Sequence, residues 1–146
     1  METMHTYIGT KVIKAFPMTR KEYNDERGWA LPANENGDDP GYLGIYPDSD
    51  SNTEKYQGYV SWSPKKQFEA AYADIGQVDH LPPFQQRVLG ELVQLKDSTR
   101  KLKKFFGTEL FYKLDFQERS RMEEQHRIMN WYKDVLVKRV ARFMPA

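Results

Sequence analysis

The sequence predicts an α+β fold: a small N-terminal antiparallel β-sheet with short helices, followed by a long antiparallel two-helix hairpin. Three observations carry that expectation. Before residue 80, glycines and prolines cluster and short runs alternate apolar with polar residues, the period of half-buried strands. After Pro82 and Pro83, apolar residues recur every three or four positions, the period of a helix face. The charge also changes sign there. Residues 1–80 hold 8 Lys/Arg against 13 Asp/Glu, a net −5, whereas residues 81–146 hold 14 against 8, a net +6. The expected organisation is a β-rich module over 1–80 and a helical hairpin over 81–146, packed with the sheet as one compact unit.

The elements follow in order. “TYIGTKVIKAF” (6–16) alternates around Tyr7, Val12 and Ile13 and reads as a strand. “MTRKEYNDERGW” (18–29) reads as a short helix, because Thr19 and Glu22 have capping-box spacing and Gly28 stops it. “LPANENGDDP” (31–40) is turn material. “GYLGIYP” and “GYVSWSP” read as two strands joined by the polar loop “DSDSNTEKYQ”. Val60 and Trp62 fall on one face of the second, with Trp62 expected in the core. Ser63 and Pro64 then open a helix of one or two turns over “PKKQFEAAY”.

The second half is periodic. Residues 88, 92, 95, 99, 102 and 106 form one helix face, and Gly107 ends it. Asp115 and Glu118 give an acidic start to a second helix. Its stripe runs through Met122, Met129, Tyr132, Leu136 and Phe143, with Ile128 and Val135 beside it. Two helices of about seven turns, shortly connected, are expected to run antiparallel. A lone hairpin buries little, so their wide apolar faces are expected to pack on the sheet or on another copy, giving a homo-oligomer.

Composition narrows the chemistry. Hydrophobic residues make up 39% and aromatic residues 14%, enough for a packed core. With no cysteine, disulfide scaffolds, thiolate zinc sites and thiol catalysis are excluded. The opening “METMHTYIGTKV” has no signal-peptide run, and no stretch approaches a membrane span, so a soluble cytoplasmic protein is expected. His5, His80 and His126 are scattered without metal-ligand spacing, no Gly-rich phosphate loop is present, and the adjacent Glu123 and Glu124 point apart on a helix. No catalytic residue, metal site or cofactor is expected.

Binding residues are another matter. “HLPPFQQRVLGEL” (80–92) places Phe84, Gln85 and Arg87 in the first turns of a helix, where free backbone N–H groups and the dipole favour an anion. Arg87 can pair with a phosphate and Phe84 can stack a base; alternatively Phe84 anchors the core and Arg87 is solvated. “EYNDERGW” adds Tyr23, Asn24, Arg27 and Trp29, a polar and aromatic cluster that also reads as a helix end with one buried tryptophan. The basic run “RKLKKFF” (100–106) reads as a solvated helix face before it reads as a nucleic-acid surface.

“YIGTKVIKAFPMTRKEYNDERGW”, “NENGDDPGYLGIYPD” and “YQGYVSWSPKKQFEAAY” resemble a small N-terminal module of tailed-bacteriophage proteins. “LPPFQQRVLGELVQLKDSTRKLKKFF” with “MEEQHRIMNWYKDVLVKRVARF” is similar to a helical hairpin also widespread in phages. Together the two cover nearly the whole chain, and their order resembles the phage Thoeris anti-defence sponge family. That resemblance implies a non-enzymatic protein of the host bacterial cytoplasm that sequesters signalling nucleotides, notably glycocyclic ADP-ribose and in some members cyclic oligonucleotides. It implies dimers or higher oligomers, with ligand near subunit interfaces between the sheet and the first long helix. Ligand contact carries over to Arg27 of “ERGW” and to Phe84, Gln85 and Arg87. On this reading Arg27 and Arg87 neutralise a pyrophosphate while Phe84 or Trp29 stacks the adenine, with Tyr23 beside them. A phage protein-interaction module, or a nucleic-acid accessory protein acting through the basic hairpin, are the alternatives that the residues leave open.

Overall fold

The computed structural model describes residues 2–145, and the chain divides after Tyr72 into two compact units. The first is a three-stranded antiparallel meander with one helix on each face. Strand β1 (Lys14–Pro17) is an edge, β2 (Gly41–Tyr46) is central, and β3 (Tyr59–Pro64) is the other edge. β1 runs against β2 with Lys14 opposite Ile45, and β2 runs against β3 with Leu43 opposite Trp62.

The strand expected over 6–16 is confined to β1. Extending its register outward sets Val12 against Pro47, which has no N–H to give to a ladder. Tyr7 and Ile8 accordingly lie outside the sheet and are exposed.

Alternation then sorts the side chains of β2 and β3 onto two faces. Leu43, Ile45, Val60 and Trp62 share one, and helix α1 (Arg20–Arg27) covers it with Tyr23, making a core in which Leu43 and Val60 are fully buried. Trp62 packs on this core and donates its indole N–H to the Met18 carbonyl at 2.7 Å. α1 is bounded as its sequence dictates. Thr19 Oγ1 accepts from the Glu22 N–H at 3.2 Å and Glu22 accepts from the Thr19 N–H at 3.1 Å, a complete capping box. Gly28, at φ 72°, ends it in the left-handed conformation.

Helix α2 (Lys65–Ala71) covers the opposite face, where the Phe68 ring lies between Tyr42 at 4.3 Å and Tyr72 at 5.0 Å. Its start is one step later than expected: Ser63 still belongs to β3, and Pro64 takes the cap position with no side-chain bond. The 47–58 loop is fastened by mimicry. Asn52 donates to the Val60 carbonyl and accepts from the Val60 N–H, at 2.9 and 2.7 Å, as a neighbouring strand would.

The second unit is a hairpin of α3 (Pro83–Phe105) and α5 (Phe116–Val140), with a short α4 (Glu109–Lys113) in the connection. The beginning of α3 meets the end of α5: Val88 and Leu92 pack on Leu136, with Leu95, Val140 and Phe143 around them. At the other end Phe106 sets its ring edge-on to His126 at 5.5 Å, so the helices are antiparallel. α4 was not expected. It is capped by Thr108, whose Oγ1 accepts from the Phe111 N–H, and pinned by Phe111 buried against Phe105 and Phe106. Tyr132, expected on the inner stripe, instead faces outward with Ile128 and Val135, because Leu136 and Val140 already fill the seam.

Candidate functional site

The candidate residues fall three in each unit. In the first, the structure brings Tyr23, Arg27 and Trp29 together around the end of α1. Gly28 turns the chain so that the Trp29 N–H reaches the Asn24 carbonyl at 2.8 Å, and the indole folds back onto the helix. The Arg27 guanidinium then lies over the Trp29 ring at 4.4 Å and donates to the Tyr23 hydroxyl at 2.8 Å. Tyr23 meets Trp29 edge-on at 5.9 Å.

Tyr23 is buried, Arg27 half-buried, and Trp29 about half exposed at 50%. The Trp29 of the helix-end alternative is thus not a buried residue but an open π-surface with a cation beside it. The neighbouring acid does not neutralise Arg27. Glu26 accepts from Lys55 at 2.6 Å and from the Tyr56 hydroxyl at 3.2 Å. The Lys55 ammonium holds its carboxyl below the usual carboxylate range, with Tyr56 adding to the effect. Behind the cluster, Asn24 is 2% exposed and its side-chain carbonyl has no hydrogen-bond partner among the described residues.

In the second unit, Phe84, Gln85 and Arg87 occupy the first two turns of α3. Phe84 is 62% exposed and so is not a core anchor. Arg87 is exposed and has no ion-pair partner among the described residues. The side chain that organises this start is one that sequence reasoning passed over. Gln86 donates its amide to the carbonyls of Val78 and Leu81 at 3.1 and 3.0 Å, stapling the preceding turn onto α3.

Sequence reasoning also missed a cleft of about 290 Å³ between α3 and α5. Lys96, Arg100 and Lys103 border it from α3, and Lys133 from α5. Its neutral groups are fixed. Thr99, buried at the floor, donates its hydroxyl to the Leu95 carbonyl at 2.6 Å. Asn130 donates to the His126 carbonyl at 3.0 Å and lies 3.4 Å from Nδ1 of that ring.

Asp97, next to the α3 border, is already shared by Lys101 at 2.8 Å and Arg100 at 2.7 Å. Those two cations, Lys101 first, hold its carboxyl below the usual range. Lys96, Lys103 and Lys133 have no ion-pair partner among the described residues. A signal for the α3 border existed: basic residues at 96, 100 and 103 share one helix face. Nothing local announced that Lys133 would join them.

Among the described residues, no three His, Asp or Glu side chains converge as metal ligands, and no helix is long and apolar enough to cross a membrane. The hairpin is the part of the chain with a recognisable relationship: residues 82–142 match the family model described as Sequestin. The match spans somewhat less than half of the chain and lies within the second unit. No curated protein and no solved structure matches the chain.

Proposed function

We propose that this chain is a phage anti-defence protein that binds and sequesters immune signalling nucleotides in the host bacterial cytoplasm, without degrading them. The observation that carries the reading is the match over residues 82–142 to the family model named Sequestin, a name that fits a sequestering role. The likeness of the chain's order, a sheet followed by two long helices, to the Thoeris sponge family supports glycocyclic ADP-ribose as ligand, with cyclic oligonucleotides as a second class. Such a protein acts by mass action, so it needs stacking surfaces, fixed donors and slow release. Arg27 and Trp29 with Tyr23, and Phe84, Gln85 and Arg87, are the proposed ligand contacts.

The proposed working form is a homo-oligomer. Ile128, Trp131, Tyr132 and Val135 follow one another at helical spacing on the outer side of α5 and are 42–73% exposed. A second copy laid antiparallel on this stripe pairs Ile128 with Val135 and Trp131 with Tyr132. The same register sets Glu124 beside Arg139, an isologous and charge-complementary arrangement. Trp131→Glu should therefore yield monomers in light scattering where the parent chain is a dimer or larger. A monomeric parent sinks this interface.

The test of function is a thermal-shift screen of the full chain against glycocyclic ADP-ribose isomers and cyclic di- and trinucleotides. A ligand at about a hundred times its Kd adds roughly 2.7 kcal/mol of stability. Ligand recovered chemically unchanged after heating separates holding from hydrolysis. Arg87→Ala should weaken binding of the glycocyclic ADP-ribose isomers and leave the fold intact; parental affinity in that variant removes Arg87 from the site. No shift across the panel overturns the sequestration reading.

A further inference from the structure

We propose that the cleft between α3 and α5 is a phosphate-recognition site for small molecules carrying two phosphate groups, distinct from the residues at the start of α3 and from the cluster in the first unit. This inference deepens the sequestration reading and rests on it for the ligand being a nucleotide.

Three observations converge. The cleft is bordered by four cations from two helices, Lys96, Arg100, Lys103 and Lys133, three of them without an ion-pair partner among the described residues. Asp97, next to Lys96 in sequence, is already bound to Arg100 and Lys101 and its charge is compensated. Two further lining side chains are held in place, with Asn130 tied to the His126 backbone and the His126 ring set edge-on against Phe106. Unpaired like charges brought together on a folded surface repel one another, so the arrangement is more stable with an anion among them.

The dimensions decide the ligand class. A cleft of about 290 Å³ is at the lower limit of ligand pockets and accommodates the phosphate-bearing part of a small ligand. Lysines present mobile point charges and can follow a pyrophosphate or the two phosphodiesters of a cyclic dinucleotide, while Arg100 can chelate one group through two nitrogens. A nucleic-acid strand needs a basic track that continues beyond the cleft, and on α5 the flanking residues include Glu123 and Asp134.

The experiment is calorimetric titration of the full chain with pyrophosphate, and separately with cyclic diguanylate, at moderate salt. Both should bind the parent. Lys103→Glu/Lys133→Glu should weaken both by about ten- to a hundredfold, the loss expected for removing charge-assisted hydrogen bonds. Lys103→Gln/Lys133→Gln should fall between, and far-UV circular dichroism should show an unchanged helix content in each. Lys138→Glu, outside the cleft, should bind as the parent does.

No heat with either probe on the parent, or parental affinity in the folded double variants, overturns the site. The two readings fail separately. A nucleotide that shifts the melting curve but ignores the cleft variants leaves sequestration standing without this site. Pyrophosphate bound through Lys103 and Lys133, with no response across the nucleotide panel, leaves the site standing without that function. A single-stranded oligonucleotide that displaces pyrophosphate with a steep salt dependence overturns the small-ligand assignment.

Discussion

In the sheet unit four cations are committed. Arg20 pairs with Glu35 at 3.0 Å and lies over Trp62, Lys21 pairs with Asp25 at 2.8 Å, Lys55 with Glu26 at 2.6 Å, and Arg27 is held by Tyr23 and Trp29. In the hairpin, Lys96, Lys103 and Lys133 border a cleft and have no ion-pair partner among the described residues. Exposed pairs of the first kind each contribute little to stability, but they fix where side chains point. The second kind contributes nothing until an anion arrives. The net −5 of residues 1–80 and the net +6 of residues 81–146 are thus not one imbalance divided in two. The first unit ties Arg20, Lys21, Arg27 and Lys55 to partners of its own, and the second leaves Lys96, Lys103 and Lys133 bordering a cleft.

The cores differ in the same sense. Leu43 and Val60 lie between α1 and the sheet, whereas Leu136 is fully buried in a two-helix seam. Leu43→Ala and Leu136→Ala should each cost about 2–5 kcal/mol, with Leu43 at the upper end because α1 and the sheet cannot both collapse onto the cavity. Near-UV circular dichroism reports mainly the aromatic sheet unit and the signal at 222 nm mainly the hairpin. Each variant should lower its own transition. If either substitution lowers both together, the units are not independent and the comparison fails.

Next in size is the turn that makes the Arg27–Trp29 cluster. Gly28→Ala forces a side chain into the left-handed region at φ 72°, at a cost of about 1–2 kcal/mol. It should also swing Trp29 away from Arg27, reducing the near-UV signal and leaving the hairpin transition untouched. A variant with unchanged spectrum and melting midpoint would show that the αL turn does not set the cluster.

What could be read from the sequence was local chemistry. Thr19, Glu22 and Gly28 bound α1 through bonds spanning three or four residues, and Pro82 with Pro83 opens α3. Leu92 and Leu136 were legible through periodicity. The remainder depended on partners distant in sequence. β1 is short because of what Pro47 lacks, thirty-five residues from Val12 in sequence. On α5 two apolar stripes lie side by side, and only the position of α3 decides that Leu136 turns in and Tyr132 out. The cleft was hidden for the same reason: Lys103 and Lys133 become neighbours only once the hairpin closes.

The caps give a smaller, matched test. Thr19 makes a two-way box with Glu22, while Asp115 accepts one bond, from the Glu118 N–H at 2.9 Å. Thr19→Ala and Asp115→Ala should each cost about 1 kcal/mol, with Thr19 the larger because Glu22 loses its orientation as well. Chemical denaturation measures both. Equal losses would mean that the reciprocal bond adds nothing at this helix end.

The smallest effect is spectroscopic and takes the contrast in polar commitment down to one proton. The neighbouring Tyr46 hydroxyl, aided by partial burial, pushes the Tyr72 pKa up from the ordinary 10.0 to about 12. The folded state therefore favours the neutral phenol. Its contribution to stability is complete below about pH 10 and is lost as pH rises toward 12. Absorbance at 295 nm should show a tyrosine fraction ionising near pH 12 while the chain stays folded. Tyr72→Phe should delete that fraction, and Tyr46→Phe should return it toward the ordinary range, both with little change in melting temperature at neutral pH. If Tyr46→Phe leaves the late fraction in place, burial rather than the Tyr46 hydroxyl holds the proton.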